Sequence, residues 1–104
     1  MSEGRALDAL EDADFRPHLR STFRLRLSES ECLDLVLVEV TDHPHLPAAA
    51  GRRRGFSVVF RSAPAGHLPQ AIYRLEHEQM GTLELFLVPI GPRDRGMRYE
   101  AVFN

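Results

Sequence analysis

The sequence predicts a mainly β, single-domain fold: an antiparallel six-stranded sandwich or small open barrel with a short N-terminal helix. Three observations point there. From Thr22 to Phe103 apolar residues recur at every second position in short runs. Those runs are separated by short segments rich in Gly, Pro, Ser and Glu, the residues that build turns. The whole chain, 1–104, holds one small hydrophobic core and is too short for a second. Its 43% hydrophobic and 27% charged side chains are those of a folded globular domain, not of a disordered segment.

Residues 1–15 read as the helical segment. Ala6, Leu7, Leu10 and Ala13 fall at helical spacing with Asp8, Glu11 and Asp12 outside. Ser2 is placed to cap it, and the early acidic residues suit the positive end of the helix dipole. Pro17 is expected to stop it, because proline disfavours helical geometry in the residue before it. Phe23, Leu25 and Leu27 then alternate with Arg24 and Arg26 in a first strand, and Ser28 to Glu31 form a polar turn. In the second strand, Cys32 to Thr41, the inward phase moves from Leu33 and Leu35 to Val38 and Val40. A bulge near Val36 or Leu37 would swap the faces in this way; cover on both faces is the alternative.

Residues 43–55 form the longest loop, with His43-Pro44-His45 and Arg52-Arg53-Arg54 inside it. Strand three is Phe56 to Arg61, with Phe56, Val58 and Phe60 on one face. A Pro/Gly loop from Ser62 to Gln70 leads to strand four, Ala71 to His77, presenting Tyr73 and Leu75. A tight hairpin over Glu78 to Gly81 joins it to strand five, Thr82 to Ile90, presenting Leu83, Leu85 and Leu87. A turn over Gly91 to Gly96 precedes strand six, Met97 to Phe103, presenting Met97, Tyr99, Ala101 and Phe103. Val36, Val59, Ile72, Phe86, Val88 and Val102 occupy the opposite phase. That second apolar face needs cover, either from the N-terminal helix through Leu7 and Leu10 or from a partner subunit.

Composition excludes several classes of function. All 13 basic residues are arginines. Without lysine there is no Schiff-base amine and no Walker-type phosphate loop, although Gly91 and Gly96 have its glycine spacing. Against 15 acidic residues the net charge is −2, which argues against a general nucleic-acid binder. No apolar run is long enough for a transmembrane helix. The acidic start, Met1 to Ala13, lacks the features of a secretory signal. A single cysteine, Cys32, cannot form an internal disulfide, so a cytoplasmic address is the simplest.

No constellation reads as a reactive centre. His43 and His45, with His67 or His77, have the beginnings of a metal edge, but nothing fixes the remaining ligands and a solvated loop accounts for them. No metal or other cofactor is expected. Ser57 lacks the second glycine of a nucleophile elbow. Cys32, beside Glu31, lacks the electropositive surroundings of a reactive thiolate and reads as structural. Glu84 and Glu100 lie on outward phases near Arg74 and Arg98, where cross-strand ion pairs explain them. Arg52, Arg53 and Arg54 are the sharpest local feature: three guanidiniums on a glycine-bounded loop, suited to an acidic partner or phosphates.

The stretch Leu68-Pro69-Gln70-Ala71-Ile72-Tyr73-Arg74-Leu75-Glu76-His77 continues through Gly81 to Leu85-Phe86-Leu87-Val88-Pro89-Ile90-Gly91-Pro92. It closes with Met97-Arg98-Tyr99-Glu100-Ala101-Val102-Phe103-Asn104. Together with Asp14-Phe15-Arg16-Pro17-His18 and Phe23-Arg24-Leu25, this resembles a family of small bacterial proteins, about a hundred residues long, that is a domain of unknown function. The resemblance runs from Leu10 to Asn104, apart from the 43–55 loop. It implies one domain with no assigned catalytic residue or cofactor, in company with phage-tail-like collar or fibre proteins.

These readings converge on a non-catalytic protein–protein interaction or structural module. Its candidate contacts are Arg52, Arg53, Arg54, Val59, Ile72, Phe86 and Val88, and its partner is another protein, a second copy included. The alternative is a small-ligand-binding barrel with its mouth near Tyr73, Tyr99 and His77. An enzyme would need titratable groups converging in a cleft, which the sequence does not display.

Overall fold

A computed structural model describes residues 10–43, 55–63, 68–93 and 96–103. A four-residue helix α1 (Asp12–Phe15) runs into a 3₁₀ turn (Arg16–His18). Six strands follow: β1 (Thr22–Arg26), β2 (Cys32–Asp42), β3 (Phe56–Ser62), β4 (Ala71–His77), β5 (Gly81–Arg93) and β6 (Gly96–Phe103). Every neighbouring pair is antiparallel. The order β1-β2-β3-β6-β5-β4 closes on itself, so the sheet is a closed barrel and neither a sandwich nor an open barrel. Closure comes from β1, which pairs with β2 on one side and with β4 on the other through Arg24↔Glu76, Leu25↔Leu75 and Arg26↔Arg74. It leaves β1 and β4 with no free edge between them, removing a surface that would otherwise template aggregation.

A barrel of this strand number has room inside only for side chains. Phe23, Leu25, Leu35, Leu37, Val58, Phe60, Leu75, Leu83, Leu85, Leu87 and Tyr99 fill it and are buried. In β2 the register shifts between Leu37 and Glu39, which makes Val38 the extra residue and brings Val40 inward after Leu37. The phase change in the sequence is therefore a bulge, one or two residues beyond its expected place. Leu27 departs from the alternation: β1 ends at Arg26, the amides of Leu27 and Ser28 both donate to the Glu31 carbonyl (2.9 and 3.1 Å), and Leu27 is 45% exposed.

Strand β5 runs three residues past its expected end. Its ladder with β4 stops at Leu87 and its ladder with β6 starts at Val88. Pro89 and Pro92 therefore sit beyond the β4 ladder, where their missing N–H groups remove no bond to β4. A second bulge falls between Pro89 and Gly91. Gly91 has φ of 112° there, a conformation that glycine adopts without steric cost.

The helical reading of residues 1–9 lies outside the described residues. At α1 the Glu11 amide donates to the Asp14 carboxylate (2.8 Å), as part of a reciprocal capping box. The α-helix ends at Phe15, before Pro17 as expected, but the chain keeps turning: Arg16 caps it with right-handed helical backbone angles and opens the 3₁₀ segment, with the proline in that segment's first turn. Amides in a first turn have no intrahelical acceptor, so proline loses nothing there. Leu10 and Phe15 are fully buried. The Phe15 ring lies 5.9 Å from Phe56 and 5.6 Å from Phe103, which stack on each other at 4.5 Å. The helix thus plugs the end of the barrel where β3 begins and β6 ends, and does not lie over the outer β4–β5 wall.

Replacing Phe15 by Ala removes this plug. The expected cost is about 3–5 kcal/mol, the range for a buried aromatic truncated to alanine, read as a lower denaturation midpoint in urea with little change in slope.

Candidate functional site

Closure sends every second side chain outward, and on β4 and β5 the outward set is mixed. Ile72 and Phe86 are direct cross-strand partners, 68% and 51% exposed. Val88 follows on the same face, half-buried, and Val102 on β6 is 56% exposed. Beside the apolar pair lies a ladder of charge: Arg26 with Glu76 at 3.2 Å and Arg74 with Glu84 at 3.8 Å. The second is the ion pair expected from the alternation. Leu27, Ser28 and Glu29 of the β1–β2 turn rise next to it, and with Ile72, Arg74 and Glu76 they border an open hollow of 640 Å³. Each exposed pair stabilises by roughly 0–1 kcal/mol at most, so their main effect is to fix the pattern of charge around the apolar strip.

Of the other expected contacts, Val59 does not join this surface. It is only 5% exposed, flanked on its two neighbouring strands by Glu39 and Glu100, whose stems stand beside it on the outer face. Arg52, Arg53 and Arg54, with His45 and His67, lie outside the described residues. Cys32 is a free, exposed cysteine at the start of β2, opposite Arg26.

The barrel mouth expected near Tyr73, Tyr99 and His77 is divided. Tyr99 is buried in the interior and its hydroxyl accepts the Leu68 amide (3.0 Å); the Tyr73 hydroxyl donates to the Pro69 carbonyl (2.6 Å). Burial, and then the neighbouring Tyr99, push the Tyr73 phenol above its ordinary range. His77 stands at the far end of β4, beside the 3₁₀ turn.

There His77 forms a cluster that sequence reasoning missed. Its Nδ1 accepts the amides of Gln79 (3.0 Å) and Met80 (3.1 Å), which places the ring proton on Nε2. Nε2 then donates to Ser21 Oγ (3.0 Å), and that hydroxyl donates to the His18 carbonyl (2.5 Å). The ring lies against Phe23 (4.3 Å) and His18 (4.6 Å). A general base needs its lone pair on the serine; here it points into the hairpin, so Ser21 and His77 form a structural bond and not a catalytic dyad. The local signal was a histidine two and three residues ahead of hairpin amides, but Ser21 and His18 come from more than fifty residues away. His43 likewise bonds Ser57 Oγ through Nε2 (3.1 Å), with Ser57 buried. Among the described residues no group of three or more His, Cys, Asp or Glu could hold a metal ion.

Fold and surface together define a small closed antiparallel β-barrel with an amphipathic outer wall. The chain belongs to the family described as domain of unknown function DUF6916, whose model matches residues 10–103, nearly the stretch over which the resemblance was read. No curated protein and no solved structure matches it. No described helix is long and apolar enough to cross a membrane.

Burial first, and then His18, hold His77 below the ordinary histidine value of 6.5, against a smaller upward pull from Glu78. In the unfolded chain His77 therefore takes up its proton at higher pH than in the folded one. Its stabilising contribution is complete above about 6.5 and is lost as pH falls through the depressed folded value. Melting temperature should fall between pH 7.5 and pH 5, and the fall should be smaller in His77→Gln.

Proposed function

We propose that this domain is a non-catalytic interaction module that docks another protein on the outer wall of β4 and β5. The observation that carries the reading is the Ile72–Phe86 pair: a β-branched residue and an aromatic, directly opposed and left mostly in water. Covering such surface is favourable by about 25 cal/mol per Å² of apolar area. The charge ladder beside it supplies a polar rim that sets register more than affinity. An exposed apolar strip with a charged border suits a protein surface better than a polyanion, in keeping with the net charge of −2. The partner is another protein, a second copy included. The phage-tail-like assembly implied by the resemblance is a setting that supplies one, and a cytoplasmic address belongs to the same reading. Arg52, Arg53 and Arg54 are proposed as a second contact to an acidic surface.

The test is the double variant Ile72→Asp/Phe86→Asp. Neither side chain contributes to the interior, so its circular dichroism and melting temperature should stay close to those of the parent. Light scattering across a concentration series reads self-association, and affinity capture from the native lysate reads a different partner. The reading expects one of these associations in the parent and its loss in the variant. Association that persists unchanged in the variant, or a parent that remains monomeric and captures nothing at physiological salt, overturns it.

A further inference from the structure

Two pairs of arginines face each other directly across strands on the outside of the barrel. Arg26 opposes Arg74 between β1 and β4, and Arg61 opposes Arg98 between β3 and β6. Like charges directly opposite destabilise a sheet, so each pair calls for compensation. The first is neutralised within the chain, since Arg26 bonds Glu76 and Arg74 pairs with Glu84. For the second, no carboxylate among the described residues lies within ion-pair distance of Arg61 or Arg98.

The register explains why. The row across the outer wall reads Val36, Arg61, Arg98, Gly91, with no acid in it. Glu100 stands one outward row along, opposite Val59. Arg98 Nε is buried without a hydrogen-bond acceptor. Two glycines shape the place. A Cβ at Gly96 would collide with the Ser62 carbonyl oxygen and crowd Arg61 Cγ, so the Arg61 stem lies against bare backbone. Among the described residues a Cβ at Gly91 would meet nothing within 4 Å, so none of them closes the end of the row beside Arg98.

We propose that Arg61 and Arg98 form a binding site for a phosphate-type dianion on the outer wall of β3 and β6. Two guanidinium forks present parallel N–H donors that match the oxygens of a phosphate. Two adjacent positive charges are balanced by one dianion, whereas a carboxylate balances half of them. The site is independent of docking on β4 and β5.

Inorganic phosphate and a simple phosphomonoester, glycerol phosphate, are the probes, added at low salt and pH 7.5 while amide and arginine Nε–H NMR signals are followed. Saturable shifts at Arg61, Arg98 and Gly91 are expected, weakening as salt is added. A tighter response to the phosphomonoester points to a phosphorylated molecule, and an equal response to free phosphate. Acetate at equal ionic strength should bind about tenfold or more weakly, having one charge in place of two. Arg61→Gln and Arg98→Gln should each abolish the response. Arg24→Gln, whose parent side chain lies between Asp34 and Glu76 in the register, should keep it. A dispersed amide spectrum shows that each variant is folded, and Arg61→Gln stands as an independent test of Arg98→Gln. No saturable shift, an equal response to acetate, or a response surviving in either folded variant overturns the proposal.

Discussion

Three residue pairs between β1 and β4 close the sheet, and the rest of the molecule follows from that closure. Once β1 is held on both sides, alternation along every strand has one meaning: in toward a narrow core or out toward solvent. The inside is then committed to packing. Phe23, Phe60, Tyr99 and the leucines of β5 are buried in it, so the described side chains pack against one another there. Function has to be sought on the wall and at the ends. One end is taken by Phe15 against Phe56 and Phe103, with His77 nearby tying the 3₁₀ turn to the β4–β5 hairpin.

The strands were legible because burial writes a period of two into the chain. Ala71–His77 lies where the alternation of Tyr73 and Leu75 puts it, and the swap of phase in β2 is a bulge. What the sequence hid is what depends on distant neighbours. Nothing local in Phe23–Leu25 or Tyr73–Leu75 says that these two strands meet. Leu27 continues the alternation past the end of its strand, because the Glu31 carbonyl turns the backbone there. Gly91 and Pro92 read as the start of a turn, although β5 continues through them to Arg93 beyond its ladder with β4. Val59 shares its phase with Ile72 and Phe86, yet β3 runs between two long neighbours and β4 does not bury its outer face. The candidate surface was thus half readable: Ile72 and Phe86 as apolar residues on the wrong side, their exposure only from the fold.

Charge is arranged with the same economy of types. With no lysine in the chain, the ion pairs among the described residues use a planar guanidinium fork that holds direction as well as charge. Arg26 and Arg74 are set among glutamates and become part of a fixed border around apolar side chains. Arg61 and Arg98 have a valine on one flank and a glycine on the other. The difference between the two pairs is one of register alone, since the strands carrying them pair in the same antiparallel way.

Closure also has a temporal side. Arg26 and Glu76, which meet at the seam, are 50 residues apart in sequence, whereas β4 and β5 are joined by a tight hairpin. A hairpin forms in microseconds, but the entropy of drawing distant segments together must be met before the seam contributes anything in return. Domains dominated by such pairings fold in milliseconds to seconds. Until the seam is made, β1 and β4 each expose an unpaired edge over an uncovered core. For a newly made chain, the hazard of joining a stranger lies in that interval, and the ladder that seals the barrel also ends it.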